Sequence, residues 1–330
     1  MRFEENCISC NSDGIKKIGK HDYYIRRNLS SNLLNTYDER VWIFFEKIIN
    51  DKSKSKFIFD VYLCRNCGLI FQNPRLTDKE IKIKYHIINE LGSVKSRISR
   101  IESSYSKVLE QRASRVYCLI KEFRLGVNHK LKIMDYGGQR GFNLIPFTKE
   151  FECSVVDYEK WKLPNGITHI GYTLNDLDKS NNFDVILLMH TLEHINYPVQ
   201  FMKNLSCFLT YGGIIYIEVP LGCWREWQKN VDPITHFNFF SEESLIKCVE
   251  NSGLNVIYVS TSYQNYGYSK GWCINLICKK SKCSETKIKK LSTKRQMAGI
   301  EYYLVYLFDI KKIFKYIKSK FFKNKKIQVN

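Results

Sequence analysis

Residues 183–220 read FDVILLMHTLEHINYPVQFMKNLSCFLTYGGIIYIEVP. The stretch begins and ends on β-rich apolar runs, and between them Pro198 opens a segment compatible with helix. A strand, a crossover helix and a second strand return the chain in the same direction, so the two strands become parallel neighbours in one sheet. Further runs of this type lie upstream at 131–137 (LKIMDYG), 153–158 (CSVVDY) and 168–174 (THIGYTL), and downstream at 254–260 (LNVIYVS) and 271–280 (GWCINLICKK). Helix-compatible segments separate most of them, which predicts an α/β architecture with helices on both faces of a parallel sheet. The last two runs are joined only by the polar TSYQNYGYSK, too short for a crossover, so the seventh strand is expected to be antiparallel.

In doubly wound sheets a ligand sits beyond the carboxyl ends of the strands. The first strand here ends in Asp135-Tyr136-Gly137-Gly138, and Gly141 is expected to open the next helix. Glycine lets the backbone approach a ligand closely and take positive φ, which marks Asp135, Gly137, Gly138 and Gly141 as candidate cofactor residues. Gln139 and Arg140 stand where very small residues are expected, and a turn shifted so that Gly138 takes the left-handed position would accommodate them. Asp157, ending the second strand, is placed to accept both hydroxyls of an adenosine ribose.

The segments IMDYGGQRG, VVDYE, 183–220 and THFNFFSEESLIKCVENSGLNV together resemble class I S-adenosylmethionine-dependent methyltransferases. The resemblance implies a Rossmann-like seven-stranded sheet, mostly parallel with the last strand reversed, and S-adenosylmethionine as cofactor. It also implies that the backbone at Met189 and His190 lies against that cofactor. Where the family usually reads Asp-x-Gly-x-Gly-x-Gly, Gln139 replaces the middle glycine. Leu192-Glu193-His194 is expected to be structural, its acid and imidazole bonding neighbouring loop backbone.

Cys7-x2-Cys10 and Cys64-x2-Cys67 are two metal-knuckle half-sites. Four thiolates suit a tetrahedral, structural zinc ion with no open position. The second knuckle lies in FDVYLCRNCGLIFQNPR, whose flanking alternation predicts a hairpin with Gly68 at positive φ, and DERVWIFFEKII in the long insertion reads as an amphipathic helix. This head, above all CRNCGLIFQNPRLT, is similar to the zinc-binding module that precedes the methyltransferase domain in a family including sugar C-methyltransferases. That similarity implies a sugar substrate, on a nucleotide carrier or in a surface-glycan intermediate.

Of the seven histidines, His190, His194 and His236 follow the fourth and fifth sheet strands at the active edge. His236 is the expected general base, because Ser241 caps a helix beside it and holds it at the rim. By resemblance, Thr235 stands where the sugar C-methyltransferases carry Glu. Phe237, Phe239 and Phe240 are expected in the core or a cleft wall. The expected organisation is a zinc-binding head (1–76), a helical bridge (77–128) whose helix starts near Asp78 with Thr77 and Glu80 as a capping box, a methyltransferase domain (129–280) and a basic amphipathic tail (281–330).

The chain carries a net charge of +19, and from Lys279 onward sixteen Lys and Arg face three acids. Such a tail suits peripheral contact with an anionic membrane face, or solvation. The twelve cysteines, without an apolar leader or a long apolar span, are expected as thiols or metal ligands in a cytoplasmic protein. Two other readings compete: an RNA methyltransferase gripping phosphates with head and tail, which the lack of interleaved aromatics and Arg in the head disfavours, and a non-catalytic scaffold.

Overall fold

Three strands of the cysteine-bearing head, β1 (Ile15–Tyr24), β2 (Lys56–Cys64) and β3 (Ile70–Asn73), pair antiparallel in chain order. The computed structural model describes residues 1–24, 39–48, 56–91, 102–123, 130–178, 180–221, 236–265 and 270–280. The basic tail and Thr235 lie outside the described residues. Helix α1 (Glu39–Ile48) puts Phe44 and Phe45 against Phe59, as its apolar pattern predicts. Gly68, at φ 75°, closes the β2–β3 hairpin. Helix α2 (Asp78–Leu91) begins at the expected box: the Thr77 amide donates to Glu80 Oε2 at 2.7 Å, and the Glu80 amide to Thr77 Oγ1 at 3.4 Å.

Helix α3 (Glu102–Glu122) then leads into the large sheet. Its strands are β4 (Leu131–Tyr136), β5 (Phe151–Val156), β6 (Ile167–Gly171), β7 (Phe183–Met189) and β8 (Leu209–Pro220); β9 (Asn238–Phe239) belongs to the head sheet, and β10 (Leu254–Asn265) and β11 (Lys270–Lys280) complete the large one. The spatial order is β10-β11-β8-β7-β4-β5-β6, with β11 antiparallel to both neighbours and the pairs from β8 to β6 parallel. All seven predicted strands form, and the last is the reversed one. The chain order reverses beside β4, which makes the carboxyl ends of β4 and β7 the switch point at which doubly wound sheets form their ligand crevice.

Two α-helices stand in the later connections, α4 (Pro198–Ser206) between β7 and β8 and α5 (Glu242–Asn251) before β10. The connection after β4 departs from expectation: instead of an α-helix opened by Gly141, it holds a six-residue 3-10 helix, Phe142–Phe147. Pro146 within it lacks an amide proton and disfavours α geometry at Ile145. That face of the sheet is instead covered by α3, whose Val116 and Ile120 pack with Ile133, Leu144 and Phe147. The other face buries Met202 of α4 and Leu245 and Val249 of α5, in one apolar cluster with Cys64, Leu69 and Phe71 of the head. Head and large sheet therefore share a core.

Their polar join is Arg75, fully buried. Its Nε donates to Asn196 Oδ1 and its Nη2 to Asn238 Oδ1, each at 2.9 Å, and longer bonds reach the carbonyls of Gln72 and Ile195. Burial draws its pKa down to about 10, still charged at neutral pH. Replacing Arg75 by Met leaves two buried amide oxygens without a donor, each costing about 1–3 kcal/mol. Arg75→Met is expected to lower the unfolding free energy by about 2–5 kcal/mol in guanidinium titration; an unchanged midpoint would show that the join carries no stability.

Candidate active site

The glycine turn is built by close packing. A Cβ on Gly137 (φ 76°) would lie 2.7 Å from Thr191 Oγ1, and one on Gly138 would lie 2.8 Å from the Asp135 carboxylate. The turn is not shifted as expected: Gln139 itself adopts φ 45°, and Gly138 is not among the positive-φ residues. A hydrogen bond explains the strained residue, since the Gln139 amide donates to Asp157 Oδ2 at 3.0 Å while the Glu159 amide donates to Oδ1 at 3.0 Å. The cost of about 1–2 kcal/mol for a left-handed side-chain residue is offset by that charge-assisted bond. Asp157 thus stands at the bend, and burial raises its pKa while the two amides oppose the rise.

Asp135 is 1% exposed, and its Oδ2 accepts from Asn143 at 2.9 Å while its Oδ1 has no hydrogen-bond partner among the described residues. Burial pushes this carboxyl up to about 7, against the pull of Asn143. A buried acceptor with no donor beside a glycine bend fits the ammonium or hydroxyl donors of S-adenosylmethionine. Beyond Asp157, Tyr158 stacks on Tyr85 of α2 with ring centroids 3.9 Å apart, so the head helix reaches this edge of the crevice.

Met189 ends β7 and is buried. His190, at φ 54°, lies between two carboxylates: Nε2 is 3.2 Å from Glu218 Oε1 and Nδ1 is 3.4 Å from Glu193 Oε1. Glu218 also accepts from Arg112 Nε at 2.8 Å and from the Tyr216 hydroxyl at 3.0 Å. Burial depresses the His190 pKa, but Cys273, Glu193 and Glu218 together hold it well above the ordinary histidine value. An imidazole set between two carboxylates, which favour its protonated form, is a poorer proton acceptor than one without them, and this places His190 behind the other two base candidates.

His194 and His236 face each other, with ring centroids 4.7 Å apart, beside the carboxylate of Glu193. For the acid of Leu-Glu-His the expectation of bonds to loop backbone is not met: among the described residues neither oxygen of Glu193 accepts a hydrogen bond, although the residue is 2% exposed. Burial opposes its ionisation, yet His190 and the fields of His194 and His236 hold its pKa at about 2. Phe237, Phe239 and Phe240 are core. Ser241 caps α5 in a capping box with Ser244, and Gly253 follows the helix at φ 82°.

In the head, Cys7, Cys10, Cys64 and Cys67 converge, with 3.6 Å between the sulfurs of Cys7 and Cys67 and 3.5 Å between those of Cys10 and Cys64. A tetrahedron of sulfurs about 2.3 Å from zinc has edges of about 3.8 Å, close to these separations. Asn66 Nδ2 lies 3.4 Å from Cys10 Sγ, a donor to the thiolate from outside the four. Arg112, Glu218, Glu193 and Tyr85 were not singled out as site residues from sequence. The acid in Glu-Val-Pro was the available signal for Glu218, and its partner lies 106 residues away.

Residues 105–259 match the model of a family described as a methyltransferase domain. No curated protein matches the chain. Among solved structures it is similar to a 1,6-didemethyltoxoflavin-N1-methyltransferase of Burkholderia thailandensis with bound 1,6-didemethyltoxoflavin and S-adenosylhomocysteine, at 10% identity over 71% of this chain and 98% of that one, TM-score 0.48. It is also similar to a magnesium protoporphyrin IX methyltransferase of Synechocystis with bound S-adenosylhomocysteine, at 15% identity over 61% and 99%, TM-score 0.44. A third is an S-adenosylmethionine-dependent methyltransferase of Clostridium acetobutylicum, at 14% identity over 59% and 99%, TM-score 0.40. The large sheet, with six strands running one way and one reversed, is Rossmann-like, and residues 105–259 of this chain match a methyltransferase domain.

Proposed function

We propose that the protein transfers the methyl group of S-adenosylmethionine to a sugar, on a nucleotide carrier or in a surface-glycan intermediate. The observation that carries the cofactor half is Asp157 at the glycine bend, beside the buried and unpaired Asp135 Oδ1. Asp157 would hold the ribose, Asp135 and the backbone of Gly137, Gly138 and Gly141 the amino-acid end, and Met189 and His190 the wall beside it. When bound, the cofactor supplies a sulfonium methyl with a good leaving group, so the protein's task is chiefly alignment. His236 is the residue assigned to the methyl acceptor, with His194 and Glu193 around it. The sugar half rests on the head, which resembles the module of sugar C-methyltransferases and reaches the crevice through Tyr85.

In the head, the four cysteines would hold a structural zinc ion, leaving it no open position. No helix among the described residues is long and apolar enough to cross a membrane. The basic tail is assigned to peripheral contact with an anionic membrane from the cytoplasmic side, and nucleic acid is not the substrate in this reading.

Calorimetry with S-adenosylhomocysteine is expected to show one site per chain, and Asp157→Ala to weaken it at least tenfold, on the order of 1.5–3 kcal/mol for bonds to a charged group. No binding by the native chain would favour the non-catalytic scaffold. Incubation with S-adenosylmethionine and a nucleotide-sugar pool is expected to add the mass of one CH2 to a sugar; methylation of RNA alone would overturn the sugar assignment. Metal analysis is expected to find one tightly held zinc per chain, with Cys64→Ser losing it together with several degrees of thermal stability. Full zinc content in that variant would overturn the four-thiolate site.

A further inference from the structure

The loop after β7 and the entry to β9 bring a second set of ligand atoms together, unlike the cysteine cluster in chemistry and in access. We propose that Glu193, His194 and His236 form a binding site for a divalent cation whose remaining coordination positions are open to an oxygen ligand. One ligand atom from each residue lies within 4.8 Å of the other two. A carboxylate and two imidazoles suit borderline divalent ions such as Mn2+, Fe2+ and Co2+, whereas four thiolates select zinc.

Glu193 is the second and independent observation. Its side chain is 2% exposed, and among the described residues neither carboxylate oxygen accepts a hydrogen bond. A buried carboxylate left in that state is costly, and either a hydrogen-bond donor or a metal ion relieves the cost. His190 Nδ1 approaches Oε1 at 3.4 Å without meeting hydrogen-bond geometry. The carboxyl group is therefore buried and short of donors beside two imidazoles.

The three residues are also held in place. The Phe237 amide donates to the Glu193 carbonyl at 3.1 Å, tying the two ligand-bearing segments together. Asn238 Nδ2 donates to the carbonyls of Leu192 at 3.2 Å and Ile195 at 2.7 Å, and Arg75 fixes Asn238 in turn. Backbone locks of this kind set ligand geometry before a metal arrives. His194 keeps 25% of its side chain exposed and His236 is partly exposed, so the ion's free positions are reachable. The site adjoins the glycine turn, because Thr191, two residues before Glu193, donates to the Tyr136 carbonyl at 3.1 Å.

Three protein ligands leave room for an oxygen of the methyl acceptor, and a cation there would orient that oxygen and make its proton more acidic. His236 then serves the acceptor through the metal rather than as a free base. This consequence rests on the proposed methyl transfer; binding of the cation does not.

The test is Mn2+ binding to the full-length protein, followed by electron paramagnetic resonance after dialysis against EDTA, with folding checked by circular dichroism. One Mn2+ per chain is expected, weakened at least tenfold in His194→Asn and in His236→Asn, both at partly exposed positions, and in Glu193→Gln. Cys10→Ser is expected to leave Mn2+ binding unchanged, which separates this site from the cysteine cluster. Absence of Mn2+ and Co2+ binding, or binding indifferent to all three substitutions, would overturn the proposal. Calorimetry with S-adenosylhomocysteine on the same samples keeps the two ideas apart: cofactor bound without Mn2+ sinks the cation site alone, and Mn2+ bound with no sugar methylated sinks the substrate assignment alone.

Discussion

A buried guanidinium with no carboxylate partner among the described residues is the constraint on which the active edge depends. Arg75 comes from the segment between β3 and α2, yet its bonds end on Asn196, after β7, and on Asn238, in β9. A buried charge tolerates few arrangements, because each donor left unpaired costs about as much as a whole hydrogen bond contributes. Its position therefore fixes the loop that carries Glu193 and His194 relative to the strand that follows His236. β9 completes this arrangement by pairing with β3, so a segment distant in sequence becomes the fourth strand of the head sheet. The head is thus a wall of the crevice as well as a possible metal site.

The same logic explains which features were legible in the sequence. Strands buried on both faces read as apolar runs, and all seven of the large sheet could be drawn from them, including the reversal imposed by the short connector before β11. Local chemistry was equally readable: the Thr77–Glu80 box, Gly68 in its hairpin and Ser241 at its cap depend on neighbours a few residues away. The turn at Gln139 was misread because the bond that stabilises it comes from Asp157, on another strand. Steric preference alone argued for a shifted turn, and a tertiary hydrogen bond overrode it. The 3-10 helix after Gly141 had a local cause in Pro146 that the glycine pattern obscured.

Least legible were the buried charges. Arg112 lies on a helix upstream of the sheet and Glu218 at the end of β8, and no spacing rule connects them. Pairing with Arg112 and His190 holds Glu218 at a pKa of about 2 although its burial works the other way. His190 and His194 follow β7 at its carboxyl end, and His236 packs beside His194, as their places in the sequence lead one to expect. Histidine identity could not separate the ring set between two carboxylates from the two rings that face each other, because that difference is made by Glu218.

Taken as a row, these groups alternate in charge from the covered face of the sheet toward the crevice: Arg112, Glu218, His190, Glu193. Each inner member has a hydrogen bond or ion pair on either side, and such alternation lets several charges stay buried without a large net field. The row ends at Glu193, whose oxygens accept no hydrogen bond and whose further neighbours are the imidazoles of His194 and His236. Positive charge is what the alternation calls for next. Supplied as a proton on either ring, it would consume a base that the proposed methyl transfer could draw on; supplied as the proposed metal ion, it would complete the row and leave a coordination position for an oxygen ligand.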